Sequence, residues 1–174
     1  MKKRNGSLAN ILLSALFAAL LSVSAYICIP LALPITAQTL VLFLAFFILG
    51  GKYSVLSVAI YISLGAIGLP VFSGFSGGIS RLFDATGGYI LGMLAAALIY
   101  AALEKLRIPK IPSAVVALSV IYALGTLWYS FVYSSGASSI GSVLLACVVP
   151  FIIPDTVKLL CAYYISNRIA KINR

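Results

Sequence analysis

Val148-Val149-Pro150-Phe151-Ile152-Ile153-Pro154-Asp155-Thr156-Val157-Lys158-Leu159-Leu160 places a carboxylate and an ammonium three residues apart inside an otherwise apolar segment. At membrane depth a charge costs several kcal/mol unless it faces a bundle interior or a cavity and finds a partner. Pro150 and Pro154 precede the pair. Each removes a backbone donor, which a membrane tolerates only where protein or cavity water satisfies the freed carbonyl. A helix restarting at Pro154 would carry that proline at its first position, with Asp155 in the first turn beside the positive end of the dipole. Asp155 and Lys158 then share one face. The stretch reads as a binding site; the competing reading is a self-neutralising pair that pins helix packing.

The rest of the composition supports a membrane setting. Of 174 residues, 63% are hydrophobic and only 9% charged, with a mean hydropathy of +1.16. Soluble domains carry roughly 25% charge, so this is an integral membrane protein and not a globular enzyme. The net charge of +9 does not signal nucleic acid, because the basic residues punctuate apolar segments and form no continuous stripe. Cys28, Cys147 and Cys161 sit in apolar surroundings without metal-ligand spacing and read as small buried hydrophobes, with no metal site.

Six apolar segments follow in order. The first runs from about Leu8 to Ile29, too long for a signal-peptide core, and closes at Pro30 and Pro34. The second covers about Thr36 to Leu49 and ends at Gly50-Gly51-Lys52. The third runs from about Tyr53 to Leu69 and stops at Pro70. A glycine-rich loop, Val71 to Thr86, leads to the fourth, about Gly87 to Leu103. The fifth covers about Ser113 to Tyr133; a Ser/Gly turn leads to the sixth, about Gly141 to Ala170, broken by its prolines. The expected fold is therefore all-α: one domain spanning residues 1–174, with six transmembrane helices. The positive-inside rule orients it. Ten Lys and Arg fall on the side of the termini and only Arg81 opposite, which puts both termini in the cytoplasm.

No catalytic constellation is present. Histidine is absent, no serine lies in a G-x-S-x-G elbow, and Gly50-Gly51-Lys52-Tyr53 lacks the upstream glycine and the Ser/Thr of a Walker A loop. In the glycine-rich loop, Phe72, Phe75 and Tyr89 are candidate walls of an apolar pocket, with Arg81 and Asp84 as polar handles. A plain outer connection, with Arg81 paired to Asp84, is the alternative. The same loop is a candidate lid. The first segment bears small residues at helical spacing, Ser14, Ala18 and Ser22 on one line and Ala15 and Ala19 beside it. Such stripes let helices approach closely in lipid, either within the bundle or against a partner.

Three blocks give the chain a family resemblance. They are LPITAQT (Leu33 to Thr39), GAIGLPVFSGFSGG followed by TGGYILG (Gly65 to Gly78, Thr86 to Gly92), and VPFIIPDTVK (Val149 to Lys158). Together they resemble the BioY family, the biotin-specific S-components of energy-coupling factor (ECF) transporters. The chain departs from the family at Ala85, where proline is usual, and at Pro154, where glycine is usual.

The resemblance implies a protein of the prokaryotic plasma membrane that captures biotin and delivers it through a transmembrane T-component and two cytoplasmic ATPase subunits. It implies docking of the first helix, through Ser14, Ala15, Ala18, Ala19 and Ser22, on the T-component. It further implies that Asp155 accepts the urea N–H groups of biotin, with Lys158 donating to the ligand or meeting its carboxylate. Gln38 and Thr36 would complete the polar shell, Phe72, Phe75 and Tyr89 would cover the ring and chain, and Arg81 or loop amides would meet the carboxylate. No cofactor is implied beyond biotin as transported ligand. The alternatives are a stand-alone proton-coupled vitamin transporter with Asp155 as carrier, and a membrane scaffold without a ligand.

Overall fold

The computed structural model describes residues 5–29, 34–133 and 140–172. Lys2, Lys3, Arg4, Pro30, most of the Ser/Gly turn before Gly141, and Arg174 lie outside the described residues. The described chain forms α1 (Asn5–Ser24), a two-residue antiparallel ladder of β1 (Cys28–Ile29) and β2 (Ile35–Thr36), α2 (Gln38–Leu49), α3 (Gly51–Ala66), α4 (Gly87–Lys105), α5 (Lys110–Trp128), α6 (Ile140–Cys147) and α7 (Val149–Ile172). A π-helical turn, Tyr129–Tyr133, extends α5.

Among the described residues, four stretches are long and apolar enough to cross a membrane: Ser7–Ser24, Gly87–Lys105, Lys110–Val132 and Val149–Ile172. At 1.5 Å per residue the 12 residues of α2 reach only about 18 Å, short of a bilayer core of about 30 Å. Burial explains this short, apolar helix. Leu42, Phe43, Ala45 and Phe46 are fully enclosed, and α2 packs against α1, α3 and α7. Gly50, at φ 77°, makes the turn into α3. The Glu104 carboxylate accepts the Gly51 N–H (2.7 Å) at the start of α3, and the Lys110 ammonium donates to the Phe47 carbonyl (3.0 Å) near the end of α2. Close approach sets α4 on α5: a Cβ on Gly88 would lie 2.1 Å from Cβ of Trp128.

These contacts order the bundle by direction. The end of α2, the start of α3, the end of α4 and the start of α5 share one end, which carries Lys52, Lys105, Arg107 and Lys110. Ser7 and Ile11 of α1 line a cleft with Lys52 there, and Tyr163, late in α7, packs edge-on against Phe47.

Two expectations are corrected. The chain breaks at Val148, between α6 and α7, and Pro154 lies inside α7, so the helix does not restart at Pro154. Asp155 therefore sits about two turns in and not in the first turn, where a dipole acts. Along α1, Ser14, Ala18 and Ser22 are buried inside the bundle, with the Ser14 hydroxyl donating to the Tyr53 carbonyl at 3.1 Å. Of the small-residue stripes only Ala15 and Ala19 face outward. Cys161 is exposed, unlike buried Cys147.

Candidate functional site

The second turn of α7 delivers Asp155 to the centre of a hydrogen-bonded knot. Its Oδ1 accepts from the Thr39 hydroxyl (2.7 Å) and the Lys158 ammonium (2.8 Å), and its Oδ2 from the Tyr122 hydroxyl (2.7 Å). Asp155 is 1% exposed. Lys158 also donates to the Thr36 carbonyl (2.7 Å) and to Thr39 Oγ1 (3.0 Å). An ammonium has three donors and a carboxylate about four acceptor positions. Lys158 is thus saturated, while one lone pair of Asp155 Oδ2 meets no further donor among the described residues. A buried ion pair persists only when its remaining donors and acceptors are met in this way. It ties α7 to the start of α2.

Beside the knot, Gln38 Nε2 donates to the Tyr61 hydroxyl (2.6 Å), and Thr36 Oγ1 donates to Gln38 Oε1 (3.1 Å). The Tyr61 hydroxyl proton and the second Gln38 N–H find no acceptor among the described residues and remain available. These groups form the polar end of a cavity whose apolar walls are Ile90 and Met93 of α4, Ile121 of α5 and Phe151 of α7. Ser73 and Thr86 of the glycine-rich loop close another side. Roughly 700 Å³ of space among these residues is free of protein atoms, part of it open to solvent. The cavity draws on the start of α2, the later part of α3, the start of α4 and the end of α5. It therefore lies toward the end of the bundle opposite Lys52, Lys105, Arg107 and Lys110.

Five of the eight residues expected at a ligand site meet here: Thr36, Gln38, Tyr89, Asp155 and Lys158. Tyr89 contributes its ring, while its hydroxyl donates to the Cys147 carbonyl (3.3 Å). The other three do not line the cavity. Phe72 is 2% exposed and packs edge-on against Tyr61 at 5.5 Å, so it backs the wall and does not form it. Phe75 is 71% exposed and stacks at 4.0 Å on Tyr26, whose hydroxyl donates to the Pro70 carbonyl. Arg81 pairs with Asp84 at 2.7 Å on the surface, each neutralising the other. The loop is tied down at several points, among them the Phe72–Ser76 bridge and the Gly78 N–H on the Gly65 carbonyl (2.7 Å).

Sequence reading missed Thr39, Tyr61 and Tyr122. A phenol within an apolar helix was the available signal, because a buried tyrosine hydroxyl ordinarily finds a partner. Nothing local says which partner: Tyr61 lies 23 residues from Gln38 and Tyr122 lies 33 from Asp155.

Fold and site together define a multi-pass helical membrane protein with a charged, partly enclosed cavity in one half of its bundle. The BioY family model matches residues 1–174. Biotin transporter BioY of Thermotoga maritima is 38% identical over 163 residues, covering 91% of this chain and 94% of that protein. The probable biotin transporter BioY of Pyrococcus horikoshii is 42% identical over 159 residues, 90% of this chain and 93% of the relative. The crystal structure of the S-component for biotin from an ECF-type ABC transporter superposes with a TM-score of 0.86 at 26% identity, over 98% of this chain and 95% of that one. The chain belongs to the BioY family.

Proposed function

We propose that this chain captures biotin in the cavity around Asp155 and serves as the substrate-specific S-component of an ECF-type transporter in a prokaryotic plasma membrane. The carrying observation is a polar-ended cavity within a fold that matches a biotin S-component over 98% of the chain. Biotin presents two urea N–H donors and one carbonyl acceptor on a fused ring, and a carboxylate on an aliphatic tail. The open lone pair of Asp155 Oδ2 suits a urea N–H, and the free protons of Gln38 and Tyr61 suit the urea carbonyl. Ile90, Met93, Ile121 and Phe151 suit the thiophane ring and chain. Lys158, with its donors used, acts by holding the Asp155 carboxylate in position. The tail carboxylate then falls toward Ser73 and Thr86.

The bundle crosses the membrane six times in this reading, with α6 and α7 sharing the last crossing and both termini cytoplasmic. The separation of the cavity from the cationic end supports that orientation. Without a Walker motif, energy for uptake comes from a T-component and two ATPase subunits. Ala15 and Ala19, on the outward face of α1, are the docking stripe left to the T-component.

The test is uptake by cells lacking a biotin importer, with this chain expressed alone or with the energising module. Accumulation that needs the module, and stops when the ATPase lysine is replaced, is expected. Accumulation by the chain alone that collapses with the proton gradient would instead identify a proton-coupled carrier.

A further inference from the structure

The chain has only three acids, and each is committed. Asp84 pairs with Arg81, Asp155 with Lys158, and Glu104 accepts the Gly51 N–H. Among the described residues no carboxylate forms an ion pair with Lys52. Its exposed ammonium sits 5.6 Å from the centroid of the Tyr53 ring. A cleft opens beside it between α1 and α3, lined by Ser7 and Ile11 on one side and Val55, Leu56 and Ala59 on the other. Positions 52, 55, 56 and 59 fall on one helical face, so the α3 wall is apolar along its length and cationic at one end. That end is the one that carries Lys105, Arg107 and Lys110.

We propose that this cleft seats one anionic phospholipid from the leaflet at the cationic end of the bundle. The phosphate lies at the Lys52 ammonium and the Ser7 hydroxyl, and an acyl chain runs along Ile11, Leu56 and Ala59. A lipid supplies both things the cleft lacks, a negative charge for Lys52 and a hydrocarbon surface for its walls. A lysine beside an anionic headgroup favours it over a zwitterionic one by about fivefold.

Native mass spectrometry of the full chain tests this, after incubation with equal amounts of phosphatidylglycerol and phosphatidylcholine bearing identical chains. Retention of phosphatidylglycerol by about fivefold over phosphatidylcholine is expected. Lys52→Gln brings the ratio close to parity, and Ala59→Trp, which fills the apolar floor, lowers retention of both. Biotin affinity, read alongside, reports that both variants are folded. Parity in the unaltered chain, or a preference that survives Lys52→Gln, overturns the proposal. So does a photo-crosslinker at position 59 that labels a polypeptide and not lipid in intact membranes.

Discussion

Asp155 and Lys158 hold each other in place at the cost of being buried together, and the two ends of that pair respond differently to mutation. Removing Lys158 leaves a carboxylate 1% exposed without its counter-charge. Lys158→Ala should destabilise the detergent-solubilised protein by about 3–5 kcal/mol, read as a fall in melting temperature. Asp155→Asn combined with Lys158→Ala should recover much of that loss, because no charge is then stranded. Additive losses in the double variant would show that the pair is not coupled. Tyr122→Phe removes the donor to Oδ2 seen among the described residues at a cost of about 1 kcal/mol, or biotin binding weaker by about fivefold. Arg81→Ala, outside the cavity, should leave affinity within about twofold; a loss as large as that of Tyr122→Phe would mean the loop folds onto the ligand.

The α2–α3 corner shows how an element too short to span a bilayer core unaided is kept in register. Gly50 makes the turn, Glu104 caps the start of α3, and Lys110 caps the end of α2. Glu104→Ala should cost about 0.5–2 kcal/mol, the usual worth of a lost cap, measured by thermal unfolding; Glu104→Gln, which still offers an acceptor, should cost less. At the other informative element, the sequence announced a break but not its position. Pro150 falls in the first turn of α7, where proline is tolerated because the missing N–H has no intrahelical partner there. Pro154 removes only one further bond, the one to the Pro150 carbonyl, and α7 runs on through it. Proline chemistry marked the segment but not where within it the helix begins. The same limit applied to the aromatic loop. Phe72, Phe75 and Arg81 were legible as conspicuous residues, but Phe72 is drawn into the core by Tyr61, Phe75 onto Tyr26, and Arg81 onto Asp84.

Across the whole molecule, hydropathy made the membrane setting legible, and the isolated Asp155–Lys158 pair marked the site. Both follow from a single large energy, that of charge and backbone polar groups in hydrocarbon. The partners of that pair were not legible, because Thr39 meets Asp155 across 116 residues and no local period encodes such a contact. The result is a bundle with a polar-ended cavity in one half and a cluster of cations at the opposite end. The central claim is that the cavity takes biotin through Asp155. Its most direct test is calorimetric titration of biotin into the purified chain and into Asp155→Asn, with thiamine and riboflavin as controls. One charge-assisted hydrogen bond is worth about 1.5–3 kcal/mol, so one-to-one binding of biotin alone should weaken by about 10- to 100-fold in the variant. Equal affinity in the two proteins, or no heat with any of the three vitamins from folded protein, would contradict it.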